Sequence, residues 1–208
     1  MKPTAPHQKA IVCNFESPHV KLRNIDLADC RWTEGFWAKK RYVCEKVMVP
    51  HMGTILKGAI GHGYNNFKIA AGLQAGVHQG FSWHDGDFYK WMEAASYIYA
   101  HNQDVGILTE LDEVIDIIAR AQQADGYLHT EIQIKGIGHF SNRKYHEMYN
   151  YGHLFTAASI HHRLTGRTNL LAIARKSADL LYRLFQPQPA HLARFGFNQT
   201  QIMGLVEL

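Results

Sequence analysis

Two short stretches concentrate the side chains that could do chemistry. The first, Trp83 to Trp91, reads "WHDGDFYKW" and puts His84, Asp85, Asp87, Tyr89 and Lys90 between two indoles. The second, "KYHEMYNYGH", carries His146, Glu147, Tyr149, Tyr151 and His153. Each aspartate of the first stretch has two readings. Asp85 can cap a following helix by accepting from a backbone N–H, and Asp87 in a first turn favours the positive end of the helix dipole. Alternatively, with His84 and Trp83 ahead of a helix starting at Asp87, they face a cavity. Sugars call for this mixture, because hydroxyls need buried donors and acceptors while C–H faces pack on aromatic rings. Trp91, four residues past Asp87, reads as core.

In the second stretch the His-Glu pair invites comparison with the zinc-protease signature, whose second histidine follows the first by four residues on one helical face. Position 150 is Asn150, and that reading fails. His146 and His153 lie seven apart, two turns along one face, so they read either as a pair presented to a cavity or as satisfied core histidines. No G-x-S-x-G elbow, phosphate-cradling glycine loop or strand-borne G-x-G-x-x-G is present.

The elements that must position these clusters are helical. Ile107, Leu108, Leu111, Val114, Ile115, Ile118 and Ala121 form one apolar stripe that stops at Asp125-Gly126. Leu170, Leu171, Ala174, Ala178, Leu181 and Phe185 form another, stopped by the prolines of "QPQPA". The spacing predicts further helices from Asp87 to about His101 and from about Tyr145 to Leu164, the latter closed by Thr165-Gly166. Phe36 to about Lys57 is helical in composition, with Pro50 ending one helix or opening the next. His19 to Leu27 suits one short strand.

Ala94-Ala95-Ser96 and Ala157-Ala158-Ser159 fall 63 residues apart, each followed by an amphipathic helix. The shared order of helix, short loop, helix, long loop reads as a repeated hairpin. Alternating inner and outer helices of an α/α toroid follow, with the long loops at the end where the inner helices begin. A closed ring of six such hairpins needs about twice the helices that can be counted. Residues 1–31 are therefore expected to be an N-terminal segment with a short strand. Residues 32–208 are expected to be the N-terminal half of an (α/α)6 barrel, cut within a last helix.

Composition narrows the function classes. The 208 residues are 46% apolar and 19% charged, as in an ordinary globular protein. The net charge of +4 is mild, and its basic residues are scattered, so no nucleic-acid patch emerges. No signal peptide and no run of about 18 apolar residues is visible, so no membrane span and a cytoplasmic location are expected. Cys13, Cys30 and Cys44 lack C-x-x-C spacing and read as reduced thiols.

With these motifs in hand, the sequence resembles glycoside hydrolase family 127, the β-L-arabinofuranosidases once grouped as a domain of unknown function. The likeness runs through "WTEGFWAKKR", "NNFKIAAG", "HDGDFYKWMEAASY", "DEVIDIIARAQQADGYLHT", "HEMYNYGHLFTAAS", "TGRTNLL" and "IMGLVEL", nearly the whole chain beyond residue 20. The resemblance implies an (α/α)6 barrel followed by β-sandwich domains and a retaining hydrolysis of terminal β-L-arabinofuranosides. It also implies a zinc-bound cysteine nucleophile and a glutamate acid/base, all expected beyond this chain, so that no catalytic or metal residue is carried over. What carries over is a sugar-contacting surface: His84, Asp85, Asp87, His146, Glu147 and His153. His84 stands where relatives often have glutamine and Gly86 where they often have serine, two departures that bear on substrate preference. Two rival readings are another (α/α)6 activity, such as uronide hydrolysis or sugar epimerisation, and a non-catalytic helical module binding carbohydrate or protein. Half of a toroid, with its edges open, is also expected to self-associate.

Overall fold

The computed structural model describes residues 17–22, 25, 29–196 and 198–208. Their regular elements are all helices, joined by turns and loops, with no strand among the described residues. Of the strand expected over 19–27, residues 23, 24, 26 and 27 lie outside the described part, and Pro18 and His19 form a turn closed by the Val20 N–H on the Ser17 carbonyl. The helices are α1 (Gly35–Val43), α2 (Val49–Lys57), α3 (Gly63–Ala70), α4 (His84–Asn102), α5 (Val105–Ala121), α6 (Thr130–Lys135), α7 (Glu147–Thr165), α8 (Asn169–Phe185) and α9 (Thr200–Glu207).

Pro50 does not break the chain's helical course. It lacks an N–H and its ring would press on the carbonyl four residues back, so the turn Cys44–Met48 widens into a π helix and Pro50 falls at the start of α2.

The remaining helices form two layers. α7 packs along α4 on one side and α9 on the other, while α5 and α8 lie outside, against α4 and α7 respectively and against each other. Gly86 meets Asn150 and Ser96 meets His161, so α4 and α7 run parallel. This is the alternation of inner and outer helices that the hairpin repeat predicts. Its cause is legible in the burial pattern. α8 buries one stripe, Leu170, Ile173, Ala174, Ser177, Leu180 and Leu181, and leaves the rest in water. α7 buries residues on every side, from Met148 and Tyr151 through Phe155, Ala157 and Ala158 to Ile160, because it is flanked by three neighbours. Phe67, Phe88 and Phe155 are fully enclosed in the shared core; each contributes about 2–3 kcal/mol relative to an exposed ring.

The two Ala-Ala-Ser triplets fall on α4 and α7, where small side chains allow close approach. Ser96 donates to the Met92 carbonyl at 2.8 Å and Ser159 to the Phe155 carbonyl at 2.9 Å, the same bond in both copies. α9 comes closer still to α7. A Cβ on Gly204 would stand 2.8 Å from the Gly152 carbonyl oxygen, and one on Gly152 would meet the Gln201 nitrogen at 2.5 Å, so the two backbones touch.

Loop chemistry closes the hairpins. The Asp104 carboxylate caps α5 by accepting from the Gly106 N–H at 2.9 Å. Gly166, at φ +75°, ends α7 by donating to the His162 carbonyl at 2.8 Å. Both long connections, 122–146 and 186–199, return from an outer helix to the start of an inner one.

Candidate functional site

α4 begins at His84, three residues earlier than the apolar pattern predicts. Trp83, His84 and Asp85 are therefore its cap and first turn rather than a preceding loop. The missing start signal comes from far away. Asn150, buried on α7, accepts from the Gly86 N–H at 3.0 Å through its side-chain oxygen and donates to the Ser82 carbonyl at 2.7 Å through its side-chain nitrogen. One amide thus satisfies the opening of α4 and ties it to α7. A Cβ on Gly86 would lie 2.8 Å from the Asn150 oxygen and 3.0 Å from a Tyr149 ring carbon, so a serine here would displace both.

The six candidate residues divide into three groups. Asp85, 2% exposed, does not cap its own helix: its two oxygens accept from the Thr130 N–H at 2.8 Å and the Thr130 hydroxyl at 2.6 Å. It thereby holds the first turn of α6. Glu147 is wholly buried and accepts from the Tyr127 hydroxyl and, at 2.8 Å, from the Phe140 N–H. Burial pushes its carboxyl above the ordinary value, and these two hydrogen bonds only partly oppose the rise. Both carboxylates face inward and anchor the long 122–146 connection.

His84 turns to a second side. Its ring stacks on His62 at 6.2 Å and meets Phe81 edge-on at 5.5 Å. Burial lowers its pKa.

Asp87, His146 and His153 are the three that come together, through partners the sequence reading left out of the site. Lys90 donates to Asp87 at 2.9 Å and to the Tyr149 hydroxyl, and lies over the Tyr149 ring at 4.9 Å from its centroid. Tyr149 meets His153 at 4.5 Å and His146 at 5.9 Å, both edge to face, and Trp83 meets His146 at 5.3 Å. The spacing held this signal: Asp87 and Lys90 are three apart, and His146, Tyr149 and His153 follow at three and four, so each set shares one face of its helix. All are half-buried, except Trp83, whose exposure is 38%.

His146 adopts the left-handed conformation at φ +59° between the turn Arg143–Tyr145 and α7. A non-glycine residue held there carries a conformational cost of about 1 kcal/mol. Burial lowers the His146 pKa. His153 is lowered to about 4, first by burial and then by the Lys90 ammonium, with Asp87 opposing. For Lys90 burial works against the charge, but the bonds to Tyr149 and Asp87 prevail and raise its pKa. At neutral pH the cluster therefore presents a neutral His153, a cation and aromatic faces. Neutral imidazoles both donate and accept, so this array suits hydroxyl groups.

Among the described residues no group of three or more His, Cys, Asp or Glu could hold a metal ion. Cys30 and Cys44 are exposed, and Cys13 lies outside the described part. Trp91 is core, its indole donating to the Val49 carbonyl at 3.0 Å. Among the described residues no helix is long and apolar enough to cross a membrane.

Comparison with known proteins gives this array its context. A non-reducing end β-L-arabinofuranosidase of Bifidobacterium longum is 33% identical over 180 residues, covering 75% of this chain and 27% of that protein. The crystal structure of a GH127 β-L-arabinofuranosidase from Geobacillus stearothermophilus T6 superimposes with a TM-score of 0.80 at 31% identity, covering 86% of this chain and 29% of the other. A second GH127 β-arabinofuranosidase gives 0.68 at 31% identity, over 76% of this chain and 26% of its own. The chain thus spans under a third of the length of these relatives, and its two layers of helices correspond to part of their α/α toroid. Residues 29–208 match the β-L-arabinofuranosidase GH127 catalytic domain, and on that match, joined to the fold and to the polar cluster at the inner-helix starts, the chain belongs to glycoside hydrolase family 127.

Proposed function

We propose that this chain supplies one wall of the sugar pocket in a glycosidase that releases terminal β-L-arabinofuranosyl residues with retention of configuration. The observation that carries the reading is the convergence of Asp87, Lys90, His146, Tyr149 and His153 at the starts of two parallel inner helices. Asp87 accepts from a sugar hydroxyl, the His146 and His153 rings donate or accept according to tautomer, and the Tyr149 ring packs on a C–H face. Asp85 and Glu147 serve from beneath, fixing α6 and the 136–146 segment that delivers His146. His84 lines the pocket's flank beside His62.

The zinc that the family implies does not fit the described residues, which hold no donor set for it. No chemical step is assigned to this chain on that account; its residues bind and orient. The lack of a paired acid and nucleophile within the cluster favours, as a second reading, a helical module that binds a sugar without turnover.

Hydrolysis of an aryl β-L-arabinofuranoside by the protein carrying this chain, with the product's anomeric configuration followed by proton NMR, tests the proposal. A β-configured first product is expected. An inverted product, or release of a uronide or an epimer instead, would replace the reading. Calorimetric binding without any turnover would establish the module. We also expect the chain alone to associate, since Ile202, Met203 and Val206 of α9, Met48 just before α2 and Met52 within it are exposed. A monodisperse monomer in light scattering would exclude that.

A further inference from the structure

A line of aromatic rings leads out of the cluster. It runs from Tyr149 to His146 at 5.9 Å, from His146 to Trp83 at 5.3 Å, and from Trp83 to Phe81 at 4.7 Å. The last pair is stacked almost parallel, at 6° between planes, whereas the earlier contacts are edge to face. Trp83 is 38% and Phe81 60% exposed, so the line ends on an open ring.

Exposed aromatic rings are costly to leave bare, and large ones held in a defined stack are more informative than scattered ones. This stack is also held firmly from below. The Asn150 side chain binds the Ser82 carbonyl between the two rings, and the His84 N–H donates to the Phe81 carbonyl at 3.1 Å. Its border is polar: His84 meets Phe81 edge-on, and His146 meets Trp83. A face awaiting another helix would be bordered by aliphatic side chains, as the exposed side of α9 is with Ile202, Leu205 and Val206. Flat rings beside hydrogen-bonding imidazoles match a pyranose or furanose ring instead, with one apolar face and a rim of hydroxyls.

From this continuity we infer that Phe81 and Trp83 form a neighbouring sugar subsite, which holds the residue that remains after the terminal arabinofuranosyl unit leaves. The inference rests on the proposed function for its direction: with the terminal sugar at His146 and His153, the rest of the substrate runs outward over Trp83 and Phe81. The protein is then built for oligosaccharides or sugar-bearing conjugates at least two rings long, and the stack selects them over short glycosides.

The test compares specificity constants for methyl β-L-arabinofuranoside and for a β-L-arabinofuranosyl-arabinose disaccharide in the wild type, Phe81→Ala and Phe81→Tyr. Phe81 is exposed, so both variants should fold, and unchanged thermal melting checks this. Phe81→Ala is expected to lose about five- to tenfold more on the disaccharide than on the methyl glycoside, with Phe81→Tyr restoring the difference. Equal losses on both substrates would overturn the subsite. If neither compound is hydrolysed, the proposed function fails, and the subsite is judged separately by fluorescence titration with the same two compounds. Disaccharide binding weakened selectively by Phe81→Ala would uphold it. Absence of binding, or binding indifferent to Phe81, would overturn it.

Discussion

The underside and the rim of the cluster are made from the same two motifs and behave as opposites. Asp85 and Asp87 are two residues apart, and His146 and Glu147 are adjacent, yet one member of each pair is turned inward and the other toward Lys90 and Tyr149. Inward, Asp85 accepts from Thr130 through both oxygens, while Glu147 accepts from Tyr127 and Phe140 through one oxygen and buries the other without a partner. On the rim, Asp87 and His153 sit half-buried beside Lys90 and Tyr149. A buried carboxylate organises backbone; a half-buried one keeps a face to offer. The motif therefore divides its labour by helical phase, not by residue type.

Substitutions can break this division, starting with the largest effect. Asp85→Ala strands the buried Thr130 N–H and hydroxyl and should cost about 3 kcal/mol of stability, read as a drop in the urea midpoint at unchanged slope. An unaltered midpoint would move Asp85 from the underside to the rim. His146→Ala should leave melting nearly intact while lowering kcat/KM by about 30-fold, the worth of one or two hydrogen bonds that tighten in the transition state. Loss of melting with retained activity would reverse that assignment.

Gly86→Ser asks how tightly the two halves are joined. Its Cβ presses on Asn150 and Tyr149, and a loss of about 1–2 kcal/mol is expected by thermal unfolding. Asn150→Ala alone would also loosen the start of α4. If the loss in the double substitution falls short of the sum, the clash and the amide bridge are one interaction.

The mildest test uses pH, where the two regions should slope in opposite directions. The Glu147 carboxyl is raised in the fold, so its contribution is full below the unfolded value near 4.5 and is lost as pH climbs through the folded value. The His153 ring is lowered from 6.5 to about 4, so its contribution is full above 6.5 and is lost as pH falls toward 4. Glu147→Gln should flatten the loss on the rising side and His153→Asn the loss on the falling side, both followed by melting temperature from pH 4 to 8. Parallel slopes in the two variants would show that both groups share one environment.

What the sequence makes legible follows from where each determinant lies. The outer helices α5 and α8 are plain in it, because a stripe such as Leu111, Val114, Ile115 and Ile118 is a local pattern. The two Ala-Ala-Ser triplets mark the inner pair for the same reason. The start of α4 is not legible, since the group that satisfies it, Asn150, stands 64 positions away. α6 escapes notice because it has only six residues and its first N–H is held by Asp85, 45 positions back. The site shows a similar limit. His146 and His153 can be paired by their seven-residue spacing, and Lys90 and Tyr149 could have been added by the same phase. That Asp85 and Glu147 turn inward depends on Thr130 and Tyr127, which no spacing rule connects to them.

The contact between Gly152 and Gly204 has a mechanical meaning. With no side chain between them, the two backbones act like a key in a slot: α9 cannot slide or rotate along α7 without a peptide group striking a peptide group. Whatever breathing the barrel undergoes, these two helices must travel as one piece, and the imidazole of His153, one residue past the key, travels with them.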